Sequence, residues 1–310
     1  MKYFIYKCLD GFFLVRPILF FPVWIFFLCG WWGAKRAGLT SLPLNRSLGL
    51  MAAVTALMAA VYVLNQIQDV ATDRANGRKF LIATGHISRT QAWVEAGLLI
   101  SASFIWSFWG MPKIFPVFVL LLAVTGWMYN FPPLTWKNRP VGGMVANGLG
   151  GVLIYTLGWY AGGGSGWPVQ AWLYGLACVS VSLYTTLPDR KGDAETGKIT
   201  VAVKYGARGT ALIAFFFELV VLVISLLIRD WLLAVPALLV FPLFVYAQVK
   251  PGETTILKAT QFSVLGLSVS VAVRFPWIVI LFVLTFYATR VYYLKRLHFL
   301  YPDFQKSNDA

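Results

Sequence analysis

The sequence predicts an all-α fold, a polytopic bundle of transmembrane helices, and three observations predict it. Only 12% of the 310 residues are charged against 59% hydrophobic, where soluble domains carry about 25% charged residues. The mean hydropathy is +0.71. Apolar stretches near the ~20 residues that cross a bilayer recur along the whole chain, separated by short loops and with no linker between them. One membrane-embedded domain over residues 1–310 is therefore expected.

Taken in order, the first stretch lies near 12–34. Arg16-Pro17 interrupts it, and it runs on too long without a small-residue cleavage site to be a signal peptide, so it is expected to be retained. The second, near 47–69, ends in Asn65, Asp69 and Asp73. The third and fourth fall near 90–110 and 114–130. The fifth, near 141–162, opens with small residues at three- and four-residue spacing from Gly142 to Gly151, a pattern suited to close helix packing; Asn147 within it is a candidate inward polar group. The sixth, near 168–187, is followed at once by Asp189 and Asp193. The seventh and eighth occupy about 208–228 and 231–249. Lys258, Gln261 and three serines dilute the ninth, near 254–273, and the tenth covers about 276–297.

Charge sets the orientation. With ten spans and both termini inside, the inside segments hold 20 of the 26 basic residues, and only Lys35, Arg36, Arg46, Lys113, Arg229 and Arg274 fall outside. The positive-inside rule then places both aspartate patterns on the cytoplasmic face. Losing one of the last two helices would move Lys295 and Arg296 outside, so parity favours ten. The net charge of +14 would suggest nucleic acid in a soluble protein; in short loops between apolar spans it reads as orientation and membrane-lipid contact, and no nucleic-acid partner is expected. Cys8, Cys29 and Cys178 show no metal or disulfide spacing. Two histidines, His86 and His298, leave little for a histidine-based site.

The chain has twelve carboxylates, and four of them form two Asp-x-x-x-Asp patterns. Residues i, i+4 and i+8 drift about 40° per step on a helix, so Asn65, Asp69 and Asp73 share one stripe, as do Asp189 and Asp193. A lone aspartate at an interface is ordinarily a solvated helix end. Two patterned clusters in a chain this poor in acid point instead to hard oxygen ligands for Mg²⁺, which takes one or two carboxylates plus phosphate oxygens. Basic residues adjoin both: Arg74, Arg78 and Lys79 after the first, Arg190, Lys191 and Lys198 with the second, and Lys137 and Arg139 in a third inside loop. Arg and Lys clamp phosphate, and Arg78, Lys79, Lys137 and Lys191 are the candidates chosen. The first two of these loops also contain Asn76-Gly-Arg78 and Thr196-Gly-Lys198, a weak internal repeat that would bring the clusters to opposite walls of one cavity. Aromatic residues make up 16% of the chain and could stabilise an allylic cation. Arg16 either faces the cavity or snorkels.

Asn65-x-x-x-Asp69-x-x-x-Asp73, the Tyr129-Asn-Phe-Pro-Pro…Lys137 loop and Asp189-x-x-x-Asp193 together resemble the UbiA superfamily of intramembrane prenyltransferases. The resemblance covers roughly 12–273 and implies a nine-helix core around a laterally open cavity, with the tenth helix outside it. It also implies Mg²⁺-dependent transfer of a polyprenyl group from its diphosphate to a lipophilic, often aromatic acceptor, as in quinone or isoprenoid-lipid biosynthesis in a bacterial or archaeal cell membrane. Asn65, Asp69 and Asp73 would then hold one metal–diphosphate contact and Asp189 and Asp193 the other; Arg78, Lys79 and Lys137 would touch phosphate, and Tyr129 would lie near the reacting carbon. Two departures stand out. Thr186 occupies the position where many members have a further aspartate, and Arg78-Lys79-Phe80-Leu81-Ile82-Ala83-Thr84-Gly85 replaces the usual stretch after the first motif. A glyceryl-phosphate acceptor or cyclisation of the prenyl chain would use the same fold. A CDP-alcohol phosphotransferase would need an Asp-Gly-x-x-Ala-Arg block, which is absent, and a cation transporter would need ionisable residues near mid-membrane and on the outer side.

Overall fold

The first apolar stretch is two helices rather than one. In the computed structural model, which describes residues 2–302, α1 (Lys2–Leu14) and α2 (Phe20–Arg36) are separated by a single 3₁₀ turn at Pro17–Leu19. Pro17 lacks an N–H and crowds the preceding residue out of the helical region, and Arg16 sits at φ 53°. Its guanidinium neither lines the polar cavity described below nor snorkels: it donates to the Tyr301 hydroxyl at 2.8 and 3.2 Å and lies 4.1 Å from the centre of the Phe80 ring. Residues 1 and 303–310 of the expected single domain lie outside the described residues.

The remaining helices are α3 (Leu44–Ala75), α4 (Arg89–Gly110), α5 (Phe115–Leu121, continued by a π-helical stretch Leu122–Met128), α6 (Pro140–Ala161) and α7 (Gln170–Thr185). After them come the short α8 (Arg190–Glu195), then α9 (Val201–Leu227), α10 (Trp231–Val249), α11 (Glu253–Arg274) and α12 (Ile278–Leu297). A helix lies at each of the ten expected spans. Eight are long and apolar enough to cross a membrane; the Pro112–Met128 stretch and the 16-residue α7 are shorter. The seventh span starts at Val201 rather than near 208, because Gly206 (φ 67°) kinks α9 and lets an interfacial turn precede the membrane portion.

At 32 residues, α3 is about 48 Å long, well beyond the ~30 Å hydrocarbon layer. That excess carries Asn65, Asp69 and Asp73 on its last turns. Contacts at the two ends agree with the expected parity. At one end Arg36 pairs with Asp230 at 2.9 Å and Lys35 lies over the Phe275 ring. At the other, Arg296 of α12 holds the buried Asp10 of α1 at 2.8 and 2.9 Å.

Six helices close into a ring: α2 packs on α6, α6 on α7, α7 on α9, α9 on α10, α10 on α11, and α11 returns to α2. Helices in lipid approach through small residues because no hydrophobic force draws them together. A Cβ built at Gly158 would overlap the carbonyl of Phe27, and one at Gly30 would overlap the carbonyl of Tyr155. Here the backbones of α2 and α6 touch. Farther along, Gly148 and Gly151 of α6 cross α7 beside Gly175, the packing anticipated for the Gly-rich stretch. Gly158→Val is accordingly expected to cost about 1–3 kcal/mol and to lower the apparent melting temperature in detergent, whereas Gly97→Ala, which meets open space, should leave it unchanged.

Candidate active site

Both aspartate clusters end in the same turn. After Asp73 the chain leaves α3 through Asn76 and Gly77 (φ 65°), and the Arg78 N–H returns to the Asp73 carbonyl at 2.7 Å. After Asp193 it leaves α8 through Thr196 and Gly197 (φ 75°), and the Lys198 N–H returns to the Asp193 carbonyl at 2.9 Å. A left-handed residue is what this helix stop requires, and glycine supplies it without a Cβ penalty. The two turns lie against one another: the Thr72 hydroxyl is 3.5 Å from that of Thr196, and a side chain at Gly192 would strike the Asn76 amide.

Each turn sends its basic residue across to the other cluster. Lys198 Nζ lies 2.7 Å from Asp69 Oδ1, the first acid of the opposite pattern, and 3.8 Å from Asp193 in its own. Arg78 pairs with Asp189, again the first acid of the opposite pattern, and lies 3.8 Å from Asp73 in its own. The weak repeat seen in the sequence is thus a reciprocal exchange of cations between two acidic walls.

A third element closes the site. Lys137, in the loop before α6, reaches Asp69 Oδ1 at 2.9 Å and Asn130 Oδ1 at 3.2 Å, and Asn65 donates to the same Asn130 oxygen at 2.9 Å. The Asn130 amide in turn donates to the Gly126 carbonyl at 2.8 Å. Gly126 lies in the π-helical stretch, a form frequent at functional sites, and this bond turns the Asn130 oxygen toward Asn65 and Lys137. Only 7% of the Lys137 side chain is exposed. Burial holds its ammonium below the ordinary lysine range, with Asp69 opposing that shift. Burial likewise raises the Asp193 carboxyl above the usual carboxylate range, against the pull of Lys198.

The four motif aspartates line one polar cavity of about 190 Å³ with Asn65, Arg78, Lys137 and Lys198. Of the residues singled out in the sequence, Asn65, Asp69, Asp73, Arg78, Tyr129, Lys137, Asp189 and Asp193 line it, and so does Thr186 at the position of the missing aspartate. Lys79 and Lys191 are exposed and do not: each follows an inward-turned arginine or aspartate by one or two positions, and the helical or turn geometry directs it outward. Lys198 and Arg139, not among the four chosen basic candidates, line the cavity as well, and Asn130, which no motif spacing marks, accepts from Lys137 beside it. Glu218, buried mid-span on α9, was also missed.

The donor set suits a hard divalent cation. Among the described residues no three His, Cys, Asp or Glu side chains converge closely enough to hold an ion alone. Two walls of two carboxylates each, with the Asn65 amide, are instead matched to an ion that completes its shell from phosphate oxygens and water. Lysine and arginine hold Asp69 and Asp189 in the meantime.

Comparison with known proteins agrees with this geometry. The description of the UbiA prenyltransferase family matches residues 23–255. A UbiA homolog from Archaeoglobus fulgidus bound to GPP and Mg²⁺ shares the fold with a TM-score of 0.64 at 20% identity, over 85% of this chain and 99% of that one. An apo UbiA homolog from Aeropyrum pernix K1 gives 0.62 at 16% identity, over 80% and 95%. Digeranylgeranylglyceryl phosphate synthase gives 0.63 at 17% identity, over 86% and 98%. No curated protein sequence matches. With well over half of its length inside the family pattern, and both aspartate clusters within that span, the chain belongs to the UbiA prenyltransferase family.

Proposed function

We propose that this enzyme transfers a polyprenyl group from its diphosphate to a lipophilic, aromatic acceptor, with Mg²⁺ as cofactor, in the making of a quinone or related isoprenoid lipid. The observation that carries the reading is the convergence of both Asp-x-x-x-Asp walls and three crossed cations on one cavity. Asn65, Asp69, Asp73, Asp189 and Asp193 would hold the Mg²⁺, which would offset the charge gathering on the leaving diphosphate. With Asp69 and Asp189 engaged by the metal, their present partners Lys137, Lys198 and Arg78 would be free to donate to the diphosphate oxygens. Such preset donors, aimed where charge develops, lower the barrier to breaking the C–O bond. Tyr129 lines the same cavity and offers an aromatic face to the allylic cation. The acceptor carbon attacks that cation and then loses its proton, which restores the ring.

The A. fulgidus relative binds a prenyl diphosphate with Mg²⁺, which supports this choice of donor and ion. Likeness to digeranylgeranylglyceryl phosphate synthase supports a second acceptor class, a glyceryl phosphate. The distribution of basic residues favours a cytoplasmic site, and the family resemblance supports a bacterial or archaeal cell membrane. Purified protein given labelled prenyl diphosphate and separate phenolic, naphthoic and glyceryl-phosphate acceptors should prenylate an aromatic one. EDTA should stop the transfer and excess Mg²⁺ restore it; full turnover in EDTA would overturn the metal assignment, and transfer to glyceryl phosphate alone would overturn the aromatic one.

A further inference from the structure

A second chamber, of about 460 Å³, lies inside the six-helix ring. It meets the polar cavity at Asn147, Ser182 and Thr185, which line both. Its other walls are mostly aliphatic, with no Lys, Arg or His among them, yet they include Glu218 of α9, 4% exposed. Ser180 of α7 donates to Glu218 Oε2 at 2.8 Å, and among the described residues Glu218 makes no other hydrogen bond. The chamber hydroxyls of Ser182, Thr185, Thr260 and Ser263 are spent on carbonyls of their own helices. Among the described lining residues, the second Glu218 oxygen deep in the chamber and the Asn147 amide at the junction are therefore the polar groups left to meet an occupant.

A hydrocarbon chain laid against that oxygen would bury it without a partner, which is costly. An ionisable side chain in a membrane bundle that faces a cavity marks a substrate path. Ser180 precedes Thr185 by five residues, about 7.5 Å along α7, so a fused or single ring fits between the cavity junction and the carboxyl. We infer that Glu218 is the specificity-determining residue for the acceptor: it receives the hydroxyl of a lipophilic, hydroxylated ring whose far edge lies at the junction with the diphosphate cavity. This rests on the prenyl-transfer reading above.

The competing role is a structural bond between α7 and α9. Glu218→Gln separates the two, because the glutamine oxygen still accepts from Ser180 while the amide turns the other arm into a donor. The test is equilibrium binding of 2-naphthol and of its methyl ether, 2-methoxynaphthalene, to the purified protein in micelles without prenyl diphosphate, with protein-free micelles as blank. The wild type should bind 2-naphthol roughly tenfold to a hundredfold more tightly than the ether. Glu218→Gln should lose that preference at unchanged melting temperature, and Ser180→Ala, which removes only the interhelical bond, should keep it. Equal binding of both probes by the wild type, or a preference that survives Glu218→Gln, overturns the inference. In turnover, Glu218→Gln should raise KM for the hydroxylated acceptor and leave KM for the prenyl diphosphate unchanged. A protein that prefers 2-naphthol yet transfers no prenyl group would overturn the prenyl-transfer reading alone; transfer without the preference would overturn only the role of Glu218.

Discussion

Asp69→Asn is expected to lower prenyl transfer by at least ~10²–10³-fold, the scale on which preset electrostatic groups act in other active sites. Asp69 is where the crossings meet: Lys137 and Lys198 both end on its Oδ1, at 2.9 and 2.7 Å. Its loss would remove a metal ligand and also the group that holds both ammoniums in place. Asparagine is the informative replacement. Alanine would take away both the charge and the acceptor oxygen, leaving Lys137 only Asn130 and Lys198 only the more distant Asp193; breaking a buried ion pair from one side costs about 3–5 kcal/mol, so lost activity would be confounded with lost folding. Asparagine keeps an acceptor oxygen for the lysines while removing the charge that binds a cation. Asp189→Asn should fall in the same range, since Asp189 stands in the equivalent place on the opposite wall, paired with Arg78. The measurement is diphosphate release and product formation from labelled substrate, with the apparent melting temperature as the folding control. Near-normal turnover by either variant would end the assignment of the two walls to one diphosphate.

The sequence carried the two walls because their signal is local and periodic. Carboxylates at four-residue spacing stand out against apolar helices, and the basic loops that follow them predict which side they occupy. The crossings were harder to read. Lys198 stands five residues beyond Asp193, as Arg78 does beyond Asp73, but Lys191 lies nearer the second motif, and only the Gly197 turn brings Lys198 round to face Asp69. Its counterpart Arg78 was chosen because it adjoins the first motif, but nothing in the spacing says that it pairs with Asp189. Asn130 carries no signal in the spacing: its role depends on bonds to Gly126, Asn65 and Lys137 that exist only in three dimensions. Adjacency in sequence singles out Lys79 and Lys191, but neighbouring residues on a helix or turn point in different directions, and both are exposed away from the cavity. The broken first helix was half legible, because Arg16-Pro17 was visible as an interruption while its effect on the helix axis was not. Glu218 had no partner in sequence, and a single carboxyl in an apolar helix acquires meaning only when a chamber is found beside it.

The choice between adjacency and geometry can be decided by four lysine variants. Lys137→Met and Lys198→Met are each expected to lower kcat/KM for the prenyl diphosphate by about 10²-fold or more, because each removes a donor from a site that excludes most water: their side chains are 7% and 13% exposed. A donor in such surroundings acts through a low effective dielectric, where one charge is worth several times its value at the surface. Lys79→Met and Lys191→Met should change the same parameter by less than about threefold, since an exposed ammonium interacts weakly and is screened by salt. Methionine preserves most of the aliphatic stem, so the comparison isolates the charge. Lys198→Arg should recover part of the loss by keeping the charge but not the compact point donor that Asp69 accepts. Raising the salt concentration adds a second axis, as it should erode any contribution of Lys79 and Lys191 before it touches Lys137 and Lys198. If Lys79→Met instead falls as far as Lys198→Met, the stretch from Arg78 to Gly85 must fold inward over bound diphosphate, and the phosphate contacts would be those that proximity to the first motif implied.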